Sequence, residues 1–208
     1  HVQQRYRQLT DGLATWVPRI SAPSGIVQVQ ATAGSGKTQL ALRLLQDAAK
    51  QAQRATYVCF NRPLADQIAG WAPVRAEVVT FHELARGTVE AAGLPGPWDS
   101  SEGFRQLESQ AMALWATQAP AWDRLVVDEV QDLEPQWLQA LVGRVREGGQ
   151  ITLLGDIDQS LYPERPSFEV QEAVTVRCMD NLRSPRAIVN LINLLHLTEA
   201  PVRACAPD

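Results

Sequence analysis

A glycine-rich turn that follows an apolar strand and opens a helix brings backbone N–H groups and a positive helix end to phosphate oxygens. Gly34-Ser-Gly-Lys-Thr38 is such a turn. Lys37 has the reach for β- and γ-phosphates, and Thr38 offers a hydroxyl to Mg²⁺. The general pattern G-x-x-x-x-G-K places Gly where Ala31 stands. Further along, the apolar run in RLVVDEVQD (residues 124–132) ends in two adjacent carboxylates. A carboxylate at a strand end beside a phosphate loop suits Mg²⁺, and a second suits the activation of water as general base. Asp128 takes the first role and Glu129 the second. A third block, LLGDIDQSLY (residues 153–162), presents Gln159 as a neutral group that can bond a γ-phosphate and lose that bond on hydrolysis. Each block has a plainer reading: a turn without ligand, a solvated acidic turn, an ordinary Gly-Asp turn. The strand–loop–helix order favours chemistry for the first, and the position after a P-loop Lys favours it for the second. The third, alone, would be ordinary.

These side chains need a scaffold with several strand ends at one edge. Short runs rich in Val and Ile predict strands at 26–31, 55–60, 77–80, 124–128, 151–154 and 173–178. Helical patterns fall between them, at 37–50, 64–71, 135–145 and 184–197. The alternation predicts an α/β fold with a central parallel sheet flanked by helices. Leu94-Pro-Gly-Pro-Trp98 is a turn cluster, and 101–119 after it has helical spacing with Ser101 as a possible cap. Residues 88–121 thus read as a small helical insertion.

The chain has 208 residues, 45% hydrophobic and 20% charged, which fits a globular domain of ordinary size, or one domain and part of another. No apolar run approaches a membrane span, and no signal peptide opens the sequence, so no membrane partner is expected. Three dispersed cysteines argue against a disulfide framework or zinc site and make a reducing cytoplasm the default. The net charge of −4 gives no global attraction to nucleic acid, so such binding needs a local groove. A start at His1 rather than Met suits a fragment.

Six blocks in order resemble the motifs of superfamily 1 DNA helicases of the UvrD/PcrA/Rep type, across residues 30–190. ATAGSGKT is similar to motif I, where this family commonly has Ala at the position of Ala31. CFNRPLADQI (59–68) resembles motif Ia, VVTFHELA (78–85) motif Ib, VVDEVQD motif II, LLGDIDQSLY motif III and NLRSPRAI (181–188) motif IV. The resemblance implies a RecA-like P-loop NTPase motor domain over 1–172, with 173–208 the truncated start of a second RecA-like domain. It implies ATP and Mg²⁺ as cofactors, single-stranded DNA and the missing second motor domain as partners, 3′→5′ movement, and a monomer. Ala33, Gly34, Ser35, Gly36, Lys37, Thr38 and Gln39 would hold the nucleotide, with Thr38 and Asp128 on the metal. Arg183 would reach the γ-phosphate across the interdomain cleft. Gln131 and Asp132 would couple the site to the nucleic-acid groove. Gln4 would read the adenine edge, with Gln3 and Gln8 as rivals and a solvated helix residue as the plain alternative. Asn61, Arg62, Thr80, His82 and Tyr162 would contact nucleic acid. From the residues alone, Asn61 reads equally as a helix cap, His82 as a hydrogen-bonded turn residue and Tyr162 as a loop cover. The family's pattern is broken where Leu182 replaces a Tyr, Glu164 a Trp and Cys59 a Phe. Motifs V and VI are absent from the chain, and 88–121 is far shorter than the usual insertion.

Overall fold

The computed structural model describes residues 12–94, 96, 98–156, 173–198 and 200–205. Six parallel strands form one sheet: β1 (Ile26–Ala31), β2 (Ala55–Cys59), β3 (Glu77–Thr80), β4 (Trp122–Val127), β5 (Val145–Gly155) and β6 (Val174–Cys178), in the order β3-β2-β4-β5-β1-β6. Parallel strands need crossovers, and the helices supply them on both faces. Alternate residues sort the faces. Val29, Tyr57, Val126 and Leu154 point to one, while Val58, Leu125, Val127 and Leu153 point to the other.

The first face is covered by α1 (Gly12–Trp16), α2 (Lys37–Lys50) and α3 (Arg62–Ala69). Leu40, Ala41, Leu44, Leu45 and Ala48 recur at helical spacing along α2 and are buried there. The second face carries α4 (Phe81–Ala91), α5 (Ser101–Thr117) and α6 (Pro135–Val142). α5 packs in this layer: Leu107, Ala111 and Trp115 are buried with Phe81 and Leu138. The indole of Trp115 donates to Thr88 Oγ1 at 2.9 Å, tying α5 to α4.

Several boundaries shift for local reasons. The cap of α5 is Ser100, not Ser101, and its hydroxyl accepts from the Gly103 N–H at 3.1 Å. α6 stops at Val142 because Gly143 caps it. β5 then starts at Val145, well before the expected 151, and crosses a register break in which Val145 pairs with Trp122 but Gln150 with Arg124. Gly148, at φ 74, lies inside that break. β6, expected to open a second unit from residue 173, pairs with β1 in the main sheet. Beyond it, β7 (Asp180–Asn181) and β8 (Arg203–Ala204) form a separate two-stranded sheet, with α7 (Arg186–Leu194) between them in sequence.

The topology sets up the site. The C-terminal ends of β1, β5 and β4 lie side by side, with β5 in the middle. Crevices at such strand ends are where open α/β sheets take ligands.

Candidate nucleotide site

Ala31 is the last residue of β1, fully buried and paired with Cys178. The position lies in a strand, so it does not need the conformational freedom of glycine. That freedom is needed further on. Gly34 has φ 78 and Gly36, the N-cap of α2, has φ 96. A Cβ on Gly34 would sit 2.9 Å from Asn181 Oδ1 and 3.0 Å from Arg183 Cβ. The loop is tied down at both ends: the Thr32 N–H donates to Cys178 O, and the Leu182 N–H donates to Gly34 O. Thr32 Oγ1 and Ser35 Oγ are buried and have no hydrogen-bond partner among the described residues. Orphaned hydroxyls beside a left-handed glycine turn fit an anionic ligand.

Lys37 folds its ammonium back over this loop, 3.0 Å from Ala31 O, 3.3 Å from Thr32 O and 3.5 Å from Asp156 Oδ2. Across β5, Asp128 continues β4 and is buried. Its Oδ2 accepts the Tyr57 hydroxyl at 2.7 Å and its Oδ1 the Glu129 N–H at 2.9 Å. Burial pushes the Asp128 carboxyl up to about 6, against the Tyr57 bond, which favours its charged form. Burial, reinforced by Asp128, drives the Tyr57 phenol well above its ordinary value, so it stays a donor.

Glu129 adopts the left-handed conformation, φ 48 and ψ 49, which is uncommon for a residue with a side chain. Its carboxylate accepts Gln131 Nε2 at 2.6 Å, and Gln131 Oε1 accepts the Asp156 N–H at 3.3 Å. One amide thus bridges the ends of β4 and β5.

Ala33, Gly34, Ser35, Gly36, Lys37, Thr38, Gln39, Asp128, Glu129 and Arg183 line one cavity of about 670 Å³. Leu182 and Asp156 also line it, and Leu42, Leu64, Gln67 and Trp71 form a further wall. The sequence reading assigned no role to Tyr57, Asp156, Asn181 or Trp71. Asp156 lies in LLGDIDQSLY and is detectable there as a carboxylate at a strand end, whereas Tyr57 is hidden in an apolar strand. Gln4, Gln159, Tyr162 and Glu164 lie outside the described residues.

The remaining candidates do not line the cavity. Asn61 caps α3, its Oδ1 accepting the Leu64 N–H at 3.3 Å. Arg62 pairs with Asp66 and Glu83. Thr80 is buried and forms a capping box with Glu83 at the start of α4. His82 sits in the first turn of α4, not in a turn between elements. Its Nε2 is 3.0 Å from Glu108 Oε1, and its ring packs edge-on against Phe60, Phe81, Phe104 and Trp137. Cys59 is fully buried, with its thiol against Asn61 O. Among the described residues, no helix is long and apolar enough to cross a membrane.

A family model described as an AAA domain matches residues 17–165. No curated protein matches in sequence. Among solved structures, arterivirus nonstructural protein 10, a helicase, is 14% identical with a TM-score of 0.51, over 89% of this chain and 42% of its own. AMPPCP-bound DnaA from Aquifex aeolicus is 16% identical with a TM-score of 0.43, over 96% of this chain and 54% of its own. The chain therefore spans about half the length of these structures. The likeness to the arterivirus protein is one of fold, and the sheet is that of a RecA-like P-loop NTPase.

Proposed function

The chain belongs to the AAA domain family, and from that premise we propose that it is the ATP-binding and hydrolysing motor domain of a UvrD-like helicase or translocase acting on single-stranded DNA in the 3′→5′ direction. The observation that carries this reading is the convergence of Lys37, Thr38, Asp128 and Glu129 on one cavity beneath the P-loop.

The triphosphate lies on the loop N–H groups and the N-terminus of α2, with the Ser35 hydroxyl in the cavity wall available as a further donor. Lys37, held over the loop by its carbonyls, presents its ammonium to the phosphate oxygens. Thr38 and Asp128 would hold Mg²⁺, since both line the cavity and a hydroxyl with a carboxylate supplies the oxygen ligands this ion takes. When bound, that ion neutralises charge on the bridging phosphate oxygens. Glu129 takes the proton of the attacking water, and Arg183 in the cavity wall meets the charge developing on the phosphoryl group.

Asn61, Arg62, Thr80 and His82 mark the proposed nucleic-acid side, at the ends of β2 and β3. Residues 180–205 are proposed to open the second motor domain. A narrower reading, translocation without strand separation, is favoured by α5 lying in the helical layer rather than standing out as an arm. A strand-displacement assay run beside a translocation assay separates the two.

The decisive test is DNA-stimulated ATP turnover of Lys37→Ala and Glu129→Gln. Lys37→Ala should lose nucleotide binding, and Glu129→Gln should bind ATP without turning it over. Unchanged turnover in both variants would remove this assignment.

A further inference from the structure

Building on the nucleotide reading of the cavity, we infer that Asp156 sets the nucleotide affinity of this site by competing with the triphosphate for Lys37. An ammonium has three donors. Here two go to Ala31 O at 3.0 Å and Thr32 O at 3.3 Å, and Asp156 Oδ2 lies beside the ammonium at an ion-pair distance of 3.5 Å. The Lys37 and Asp156 side chains are only 10% and 3% exposed, so solvent screens their attraction little. Both residues line the cavity. A phosphate oxygen that comes to Lys37 therefore meets the Asp156 carboxylate as a rival partner.

The carboxylate is the one that yields. Ala31 O and Thr32 O belong to the backbone that leads into the phosphate loop, whereas Asp156 carries a charge of the same sign as the incoming ligand. Binding is thus an exchange of one anion for another at Lys37. The Lys37–Asp156 ion pair subtracts from the affinity. The Asp156 backbone is held independently of that charge, through its N–H to Gln131 Oε1 at 3.3 Å. Neutralising the side chain removes the competitor and leaves this tether in place.

The test measures Kd by equilibrium dialysis for Mg²⁺–ATP and for inorganic tripolyphosphate, with the full chain. Asp156→Asn should tighten both on the order of tenfold, within the usual range of coupling between competing contacts. Simple removal of a negative charge near phosphate would also tighten binding, so each measurement is repeated in Lys37→Met at millimolar ligand. Competition for Lys37 predicts that the gain vanishes there. Asp156→Ser, checked by circular dichroism, covers the case in which Asp156→Asn misfolds. Binding that is unchanged or weaker in the Asp156 variants overturns the inference, as does an equal gain in both Lys37 backgrounds. Wild-type protein that binds neither ligand overturns the nucleotide reading itself, whereas wild-type binding with no gain in the Asp156 variants overturns this inference alone.

Discussion

The backbone of Glu129 offers a test that separates architecture from chemistry. At φ 48 and ψ 49 it holds a side-chain-bearing residue in the left-handed region. That conformation costs an L-residue about 1–2 kcal/mol. Glycine avoids the cost but loses about 0.4–1 kcal/mol through the greater freedom of its unfolded chain. Glu129→Gly should therefore be more stable than Glu129→Ala by about 0.5–1 kcal/mol, the reverse of their order inside a helix. Both variants lose the carboxylate and its bond from Gln131, so that loss cancels in the comparison. Urea denaturation at matched slope measures the difference. In thermal melts it corresponds to about 1–3 °C for a chain of this size. Neither variant should hydrolyse ATP, and both should bind it. An alanine variant as stable as the glycine variant would refute the claim that the end of β4 is strained to aim Glu129.

Gly34→Ala should weaken nucleotide binding and destabilise the fold by about 1–3 kcal/mol, because the new Cβ meets Asn181 and Arg183 at 2.9 and 3.0 Å; calorimetric titration with ATP reads the first effect and urea denaturation the second. Tyr57→Phe, studied with chelator present, should lose about 1.5–3 kcal/mol at pH 8, the range for a hydrogen bond to a charged group. The sign follows from Asp128, whose carboxyl is raised from 3.8 to about 6: the folded state holds the extra proton between these values, so stability falls as pH rises through them. Removing the Tyr57 donor raises the folded value further, and the penalty should therefore shrink at pH 5; a loss independent of pH would contradict this. Trp115→Phe should cost about 1 kcal/mol in urea denaturation through the lost bond to Thr88, without changing ATP affinity.

The residues that line the loop side of the cavity were legible because they are contiguous in sequence. Ala31 through Thr38 and Asp128–Glu129 carry both the local geometry and the side chains, so motif order sufficed. β1, β3 and α2 were legible for the same reason: their limits coincide with sharp changes in residue type. What escaped depended on contacts between distant segments. Tyr57 reads as one apolar residue in a buried strand until β2 is placed beside β4, where its hydroxyl meets Asp128. The early start of β5 was hidden by Glu147-Gly-Gly149, which reads as a turn but here crosses a register break beside β4. α5 reads in sequence as a small helical insertion on the sheet, and nothing local shows that Trp115 will find Thr88.

The same distinction bears on Arg183. The family resemblance places this arginine across a cleft, on a body free to move relative to the P-loop. In the structure its turn is fastened to that loop. Leu182 donates its N–H to Gly34 O, and Asn181 Oδ1 accepts the Arg183 and Ser184 N–H groups while leaving no room for a side chain on Gly34. Leu182, in the place of the family's aromatic residue, is itself buried against the site. A movement that displaces the 181–184 turn must therefore break the Leu182–Gly34 bond or carry Gly34 with it. Gly34 borders the N–H groups proposed to cradle phosphate, so movement of the turn acts on the P-loop backbone as well as on the arginine. Coupling between Arg183 and bound phosphate then needs no charge to cross a gap, because one backbone hydrogen bond and one close contact already join the two.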